Sequence, residues 1–134
     1  MTTTIPQQDL SISAKPTQAD AQLLVSLING PLAQRAYDGS DLLMGYDSPP
    51  TFAQFDADHP RGSEGARAVS ALLGFNETLG TFVKQGLLDR GLVYDLYWVA
   101  GIWERSAAIA LHFREKSGVP AMYENFEALA KGQT

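Results

Sequence analysis

Two polar residues share predicted helix faces with apolar side chains, and they are the strongest candidates for chemistry in this sequence. Asn76 lies on a face whose apolar positions are Leu72, Leu79 and Val83. Arg114 lies on a face of the next long helix whose apolar positions are Trp103, Ala107 and Ala110. At 100° per residue these last four positions fall within about 60° of one another. Both faces would otherwise point into the core.

A guanidinium group on such a face needs partners. Burying it alone costs several kcal/mol. We therefore expect Arg114 to meet a carboxylate or the carbonyls of a helix end, or to extend to solvent. The candidate acids are Glu77, Glu104 and Glu127.

Two interpretations of these polar residues remain open at this stage. In the structural one, Asn76 and Arg114 belong to a hydrogen-bonded network that stabilises the fold, and Trp103 anchors the core. In the functional one, a polar pocket beside Trp103 binds a small anion or a partner's carboxylate through charge-assisted hydrogen bonds. The candidate ligand-binding residues are then Asn76, Glu77, Trp103, Glu104 and Arg114.

Motifs for catalysis and for metal binding are missing from the sequence. The chain has no cysteine, which excludes thiol catalysis, iron–sulfur clusters and zinc ribbons. It has no Glu-x-x-His pair of the di-iron type, no nucleophile elbow and no phosphate-binding glycine loop. His59 falls in a turn and His112 on a mostly exposed helix face, so both are interpreted as ordinary histidines. We expect no catalytic residue, no metal and no cofactor, and we favour a non-enzymatic role.

The charge of the chain argues against nucleic acid as a partner. Fifteen acidic and ten basic residues give a formal net charge of −5, whereas nucleic-acid-binding surfaces are basic. The acidity is concentrated before the long helices, where five aspartates and no cation lie between Arg35 and Arg61. No apolar run approaches the roughly 20 residues of a membrane span, and residues 1–16 contain no run typical of a signal peptide. We expect a soluble cytoplasmic protein that binds neither nucleic acid nor membranes.

The length of 134 residues corresponds to one domain with a single core. Residues 1–16 show no apolar period and are predicted to form a flexible tail, and residues 17–131 are predicted to form a helical domain. Thr17 is the predicted N-cap of the first helix, and Pro31 begins the second. A short third helix is predicted to start with the two prolines after Ser48.

Two long helices are predicted in the second half of the chain. The first covers residues 63–85 and ends in a Schellman motif at Gly86. The second covers residues 89–117 without interruption, because the helical period continues through an aromatic-rich stretch that could also form a strand. A final short helix is predicted to begin at Pro120.

The order of these elements predicts the fold class. A short connection makes the two long helices antiparallel neighbours, and no segment alternates convincingly at a period of two. The predicted fold is all-α, a single-domain helical bundle with two long antiparallel helices and shorter N- and C-terminal helices.

Several short motifs occur in an order and spacing that resemble those of one family. They are Asn76-Glu77, Gly86-Leu87-Leu88-Asp89, Trp103-Glu104, Arg114 and Tyr123-Glu124-Asn125-Phe126-Glu127. Together they resemble an uncharacterised family of small all-helical bacterial proteins, catalogued as a domain of unknown function. The resemblance covers about residues 19–130. It implies an all-helical fold, supports the pairing of the polar residues above, and implies no activity.

Two functions remain after these exclusions. The favoured hypothesis is a small non-enzymatic module for protein interaction or regulation. It predicts an apolar surface around Tyr94, Tyr97 and Trp98 that a protein partner or a second copy of the chain would cover. The alternative is a binder of a small anionic ligand, or an enzyme acting on one, that uses the polar pocket around Arg114.

Overall fold

Helices provide the regular structure in the computed structural model, which describes residues 15–133. Seven helices follow one another in those residues, and no strand occurs among them. They are α1 (Gln18–Ile28), α2 (Pro31–Met44), α3 (Phe52–Asp58), α4 (Glu64–Lys84), α5 (Arg90–Leu96), α6 (Val99–Ser117) and α7 (Glu124–Lys131). They share one hydrophobic core, so the predicted all-α single domain is confirmed.

The N-terminal tail predicted for residues 1–16 lies outside the described residues except for its last two positions. α1 begins at Gln18 and α7 ends at Lys131, and the predicted bounds of the helical domain, residues 17–131, stay a prediction. None of the helices within residues 15–133 is long and apolar enough to cross a membrane.

Three helices begin close to their predicted starts, each with an N-cap side chain. The Thr17 hydroxyl accepts a hydrogen bond from the Asp20 N–H, and the Asp20 carboxylate accepts one from the Thr17 N–H, which is a capping box. The side chains of Ser63 and Asp89 accept hydrogen bonds from N–H groups in the first turns of α4 and α5. Each cap satisfies a donor that the helix itself leaves free.

The end of α4 is the predicted Schellman motif. The Gly86 N–H donates to the Val83 carbonyl, and the Leu87 N–H donates to the Phe82 carbonyl. Gly86 has φ of 76°, a conformation that glycine adopts without the steric cost of a side chain. The chain therefore turns sharply towards α5.

The third helix begins later than predicted. α3 starts at Phe52, because Thr51 and not Ser48 is its N-cap. The Thr51 hydroxyl accepts from the Gln54 N–H at 3.1 Å, and the Gln54 side chain accepts from the Thr51 N–H at 2.9 Å. This reciprocal pair outweighs the simple proline signal on which the prediction relied.

The last helix also begins later than predicted, at Glu124 and not at Pro120. Residues 120–123 form turns, and Tyr123 has the left-handed backbone conformation with φ of 60°. Contacts from α4 and α6 hold this turn, and local sequence signals do not include them.

A break divides the second long helix, so the uninterrupted helix predicted over residues 89–117 is wrong. Tyr97 is extended, with φ of −133° and ψ of 135°, and Trp98 precedes α6. The Gln133 side-chain oxygen accepts from the Ala100 N–H, and its amide nitrogen donates to the Tyr97 carbonyl, both at 2.9 Å. A residue more than 30 positions away therefore supplies bonds that the interrupted helix has lost.

The core forms around α4, which carries more buried residues than any other helix among those described. α2 and α7 pack along it, and α7 also packs on α6. α4 and α6 touch each other over only a few residues. This direct contact is smaller than their short connection predicts, since α5 and the extended Tyr97 lie between them in the chain.

Candidate functional site

Glu77, one of the five predicted site residues, caps the N-terminus of α7. Its Oε1 atom accepts from the Asn125 N–H at 3.0 Å and from the Phe126 N–H at 2.9 Å. Its Oε2 atom accepts from Asn125 Nδ2 at 3.0 Å, and the same amide nitrogen donates to the Thr81 hydroxyl. A carboxylate at this position satisfies helix N–H groups and complements the positive end of the helix dipole.

Close approach of α7 to α4 makes this capping possible. A side chain added at Gly80 would overlap the backbone carbonyl of Asn125, whereas one added at Gly74 would meet open space. Half-buried Tyr123, just before α7, has its pKa raised first by burial and then by the negative charge of Glu77. The Glu77 carboxylate therefore links α4 to the start of α7.

Arg114 connects α6 to the turn before α7 and to α7 itself. Its Nε donates to the Met122 carbonyl at 2.9 Å, and its Nη1 lies 3.0 Å from Glu127 Oε1. The two charged side chains are 21% and 23% exposed. A hydrogen bond from Lys131 first, and then one from Arg114, lower the pKa of Glu127. Of the alternatives expected for Arg114, the structure shows a carboxylate partner, Glu127, together with a main-chain carbonyl in the turn before α7.

We call Glu77, Thr81, Arg114, Asn125 and Glu127 the C-terminal polar network. It is partly unsatisfied, because Arg114 Nη2 is buried and has no hydrogen-bond partner among the described residues. Its hydrogen bonds link α4 to α7, and its ion pair links α6 to α7. These bonds agree with the structural interpretation of the polar residues.

The other three predicted site residues lie in different surroundings. Asn76 is 2% exposed; its Nδ2 donates to the Leu72 carbonyl, and its Oδ1 has no partner within residues 15–133. Trp103 is half-buried and packs edge-on against Phe126, with ring centroids 5.0 Å apart. Glu104 is exposed. A ligand-binding role for the five residues stays a prediction.

A well-formed concave feature lies elsewhere, between α3, the turn after it, α4 and α6. This feature, which we call the main cleft, has a volume of about 660 Å³, within the range of small-molecule sites. None of the five predicted site residues lines it. The residues that line it are Phe52, Phe55, Asp56, His59, Arg61, Gly62, Ala66, Arg67, Val69, Ser70, His112, Phe113 and Lys116.

Aromatic packing joins α3 to α6 at the wall of the main cleft. The Phe52 and His112 rings stack in parallel, with centroids 3.5 Å apart and an angle of 6° between their planes. Phe113 meets Phe52 edge-on at 5.6 Å. His59 packs at an angle against Phe55 on the other side. The apolar part of the wall is therefore built from rings fixed by one another.

Polar contacts fix the far end of α3. The Tyr46 hydroxyl donates to the Asp58 carboxylate at 2.7 Å, and the Arg105 guanidinium donates to the Tyr46 carbonyl at 2.7 Å. Burial first, and then the bond to Asp58, raise the pKa of Tyr46 to about 12. α6 therefore contacts the start of α3 directly through His112, and its end indirectly through Tyr46.

Positive charge is concentrated at the main cleft, although the protein as a whole is acidic. Arg61, Arg67 and Lys116 carry three positive charges and Asp56 one negative charge, so the lining has a net charge of +2 with both histidines neutral. Arg67 donates to the Gly62 carbonyl and lies 3.5 Å from Glu64, which is exposed.

Among the described residues, Arg61 and Lys116 are the cleft cations without an ion-pair partner. Both are exposed. Ser70 is also exposed at the cleft, and it forms no side-chain hydrogen bond to either histidine. These groups suit recognition of an anion better than nucleophilic chemistry.

The sequence patterns did not predict this site, because His59 and His112 belong to separate predicted elements. His59 and His112 both line the main cleft, and these are the chain's two histidines. A usable signal was present in the helical spacing of Phe52, Phe55 and His59, which places three rings on one side of α3. Among residues 15–133, no group of three or more metal-ligating side chains is placed to hold a metal ion.

The apolar surface predicted around Tyr94, Tyr97 and Trp98 is only partly exposed. Trp98 is 66% exposed and its neighbour Leu96 is 54% exposed. The Tyr94 hydroxyl donates to the Leu129 carbonyl, and the Tyr97 hydroxyl lies 2.7 Å from that of Tyr37. The two tyrosines therefore hold the fold, and the exposed surface is centred on Trp98.

Comparison with known proteins identifies a family. The family model described as "Domain of unknown function (DUF4760)" matches residues 17–133. No curated protein and no solved structure is significantly similar to the chain.

Proposed function

This chain belongs to the DUF4760 family, a domain of unknown function, and we propose that it binds a small organic anion in the main cleft. The single observation that carries the proposal is the pairing of an aromatic wall with two accessible cations in one cleft of about 660 Å³. Small-molecule sites combine an apolar lining with a few convergent polar groups in this way.

The charges favour an anion over a neutral ligand. Arg61 and Lys116 have no ion-pair partner among the described residues, and an anion would gain charge-assisted hydrogen bonds from both. A phosphate monoester is a suitable anion because its oxygens can accept from both cations, and its organic part would contact the rings of Phe52, Phe55 and Phe113.

The proposal concerns binding. Candidate general bases His59 and His112 are present, but their side chains make no hydrogen bond to a nucleophile in the described residues. A cytoplasmic location, as the sequence predicts, is part of the proposal.

Calorimetric titration with butyl phosphate in a phosphate-free buffer tests this function. We expect saturable binding of butyl phosphate and no binding of neutral butanol at the same concentration. Arg61→Gln is expected to weaken binding about tenfold or more, because a hydrogen bond to a charged group contributes about 1.5–3 kcal/mol.

Arg90→Gln is the matched control, because Arg90 is an exposed cation on α5 that does not line the cleft. It removes the same charge and should leave the affinity nearly unchanged. Equal weakening by both variants would show that butyl phosphate responds to overall charge and would contradict a site in the main cleft.

A second candidate, interaction through the surface centred on Trp98, is favoured by the exposure of that indole and of Leu96. Large exposed apolar side chains that lie together often mark protein interfaces, and we propose a second copy of the chain as the partner. Sedimentation velocity over a range of concentrations should show a dimer that Trp98→Ser disrupts. Leu111→Ser, which changes an exposed leucine on α6, is the control, and a wild-type monomer at all concentrations would contradict self-association.

A further inference from the structure

A second, shallower cleft continues the main cleft towards the turn before α7. It has a volume of about 310 Å³ and is lined by Ser70, Phe113, Lys116, Ser117, Met122 and Tyr123. Ser70, Phe113 and Lys116 also line the main cleft. The two clefts are therefore adjacent and adjoin at these three residues, the junction, and we call the pair the groove.

The two parts of the groove differ in chemistry. The main cleft contains four charged residues and both histidines. The second cleft has a single charged residue, Lys116 at the junction, and its other large side chains are those of Phe113, Met122 and Tyr123. A ligand that fills the whole groove would be charged at one end and apolar at the other.

The C-terminal polar network holds in place the turn whose residues Met122 and Tyr123 line the second cleft. Arg114 Nε donates to the carbonyl of Met122, and Glu77 holds the start of α7 directly after Tyr123. Tyr123 keeps a left-handed backbone, with φ of 60°, which is uncommon for a residue with a large side chain. Such conformations persist where surrounding contacts enforce them. Here the contacts of Arg114 and Glu77 keep the side chains of Met122 and Tyr123 at the groove.

We propose that the organic anion bound by this protein is elongated, with its charged group among Arg61, His59 and Lys116 and an apolar chain that runs past Phe113 to Met122 and Tyr123. This inference rests on the proposed function, because it assigns the ligand class of the same site. The shared residues at the junction are the observation that supports one continuous ligand.

A series of linear alkyl phosphates of increasing length tests the inference. Burial of a methylene strengthens binding about fourfold when it is complete, and about twofold when one side of the groove stays open to solvent. Octyl phosphate, used below its micelle concentration, is therefore expected to bind at least about tenfold more tightly than butyl phosphate. Octanol is the neutral control and should bind much more weakly than octyl phosphate.

Two variants locate the apolar chain. Met122→Ser should remove most of the gain from the longer chain and leave the affinity for butyl phosphate nearly unchanged. Met44→Ser, which alters an exposed methionine on α2 outside both clefts, should keep the full gain. Ser70→Tyr places a ring at the exposed junction and should reduce the gain in the same way as Met122→Ser.

The outcomes separate this inference from the proposed function. Binding of butyl phosphate without any gain for octyl phosphate would overturn the elongated ligand and leave the proposed function intact. A higher affinity for octyl than for butyl phosphate that persists in both Met122→Ser and Ser70→Tyr would also overturn the elongated ligand. Absence of binding for every alkyl phosphate would overturn both proposals.

Discussion

Arginine side chains occur in both the C-terminal polar network and the main cleft, and their surroundings differ. Arg114 in the network is 21% exposed and bonds to the Met122 carbonyl and the Glu127 carboxylate. Arg61 at the cleft is exposed and has no ion pair among the residues that the structure describes. The same guanidinium group therefore has internal partners in one region and faces solvent in the other.

The difference separates groups that stabilise the fold from groups that are available to a ligand. Removing one partner of a shielded ion pair leaves the other uncompensated and is costly. An exposed charge contributes little to stability, so it can serve binding without a large effect on the fold. On this basis, substitutions in the network should change the free energy of unfolding, and substitutions in the cleft should change affinity.

The largest expected contrast lies within α4, between two glycines. Gly80→Ala should lower the free energy of unfolding by about 2 kcal/mol, because the new methyl group overlaps the backbone of Asn125. Gly74→Ala faces open space and should raise it by about 0.5–1 kcal/mol through helix propensity. Urea unfolding of the two variants measures the contrast, and equal effects would contradict the close approach of α7 to α4.

Two arginine variants compare the regions directly. Arg114→Leu should lower the free energy of unfolding by about 2 kcal/mol, less than a fully buried pair would lose because both side chains are partly exposed. Arg61→Leu should change it by at most about 0.5 kcal/mol. Thermal unfolding with circular dichroism provides the measurement. An Arg114→Leu protein with wild-type stability that no longer binds butyl phosphate would instead support the predicted ligand role of Arg114.

Two glutamate variants give a smaller contrast. Glu77→Gln should lower the free energy of unfolding by about 1 kcal/mol, because the neutral amide loses the charge that complements the start of α7. Glu104→Gln changes an exposed residue and should have an effect within about 0.5 kcal/mol. Hydrogen exchange of the Phe126 amide should speed up only in the Glu77 variant.

The smallest expected effect is a pH dependence at the network. The pKa of Glu127 is lowered in the folded protein, first by Lys131 and then by Arg114. The stabilisation from this carboxylate is therefore complete above its ordinary pKa of 4.5 and is lost as pH falls through the lowered value. Unfolding free energy should fall less steeply below pH 4.5 in Glu127→Gln than in the wild type, and identical slopes would contradict the pairing.

Local sequence signals were sufficient for most helix ends and insufficient for the break in the second long helix. Thr17, Ser63 and Gly86 act within one helical turn, so their roles are visible in the sequence. The break at Tyr97 depends on Gln133, whose side chain bonds to the interrupted backbone from the other end of the sequence. Such a tertiary contact has no local signature.

The two regions were also unequally predictable. A cation on an apolar helix face must find a partner, so the sequence already pointed to the environment of Arg114 and to Glu127 as one candidate acid. The main cleft combines α3, a turn, α4 and α6, and no single segment shows a motif for it. His59 and His112 line the same cleft only because α3 packs on α6.

A nuclear magnetic resonance titration with butyl phosphate tests most directly whether the accessible cations of the main cleft form the binding site. The imidazole groups of His59 and His112 are the chain's two histidine reporters and line the cleft, whereas the indole of Trp103 packs on Phe126 beside the network. We predict that both imidazole signals shift with one common saturation curve while the Trp103 indole signal stays constant. A saturable shift of the Trp103 signal with unchanged imidazoles would contradict the account and place the site at the C-terminal polar network.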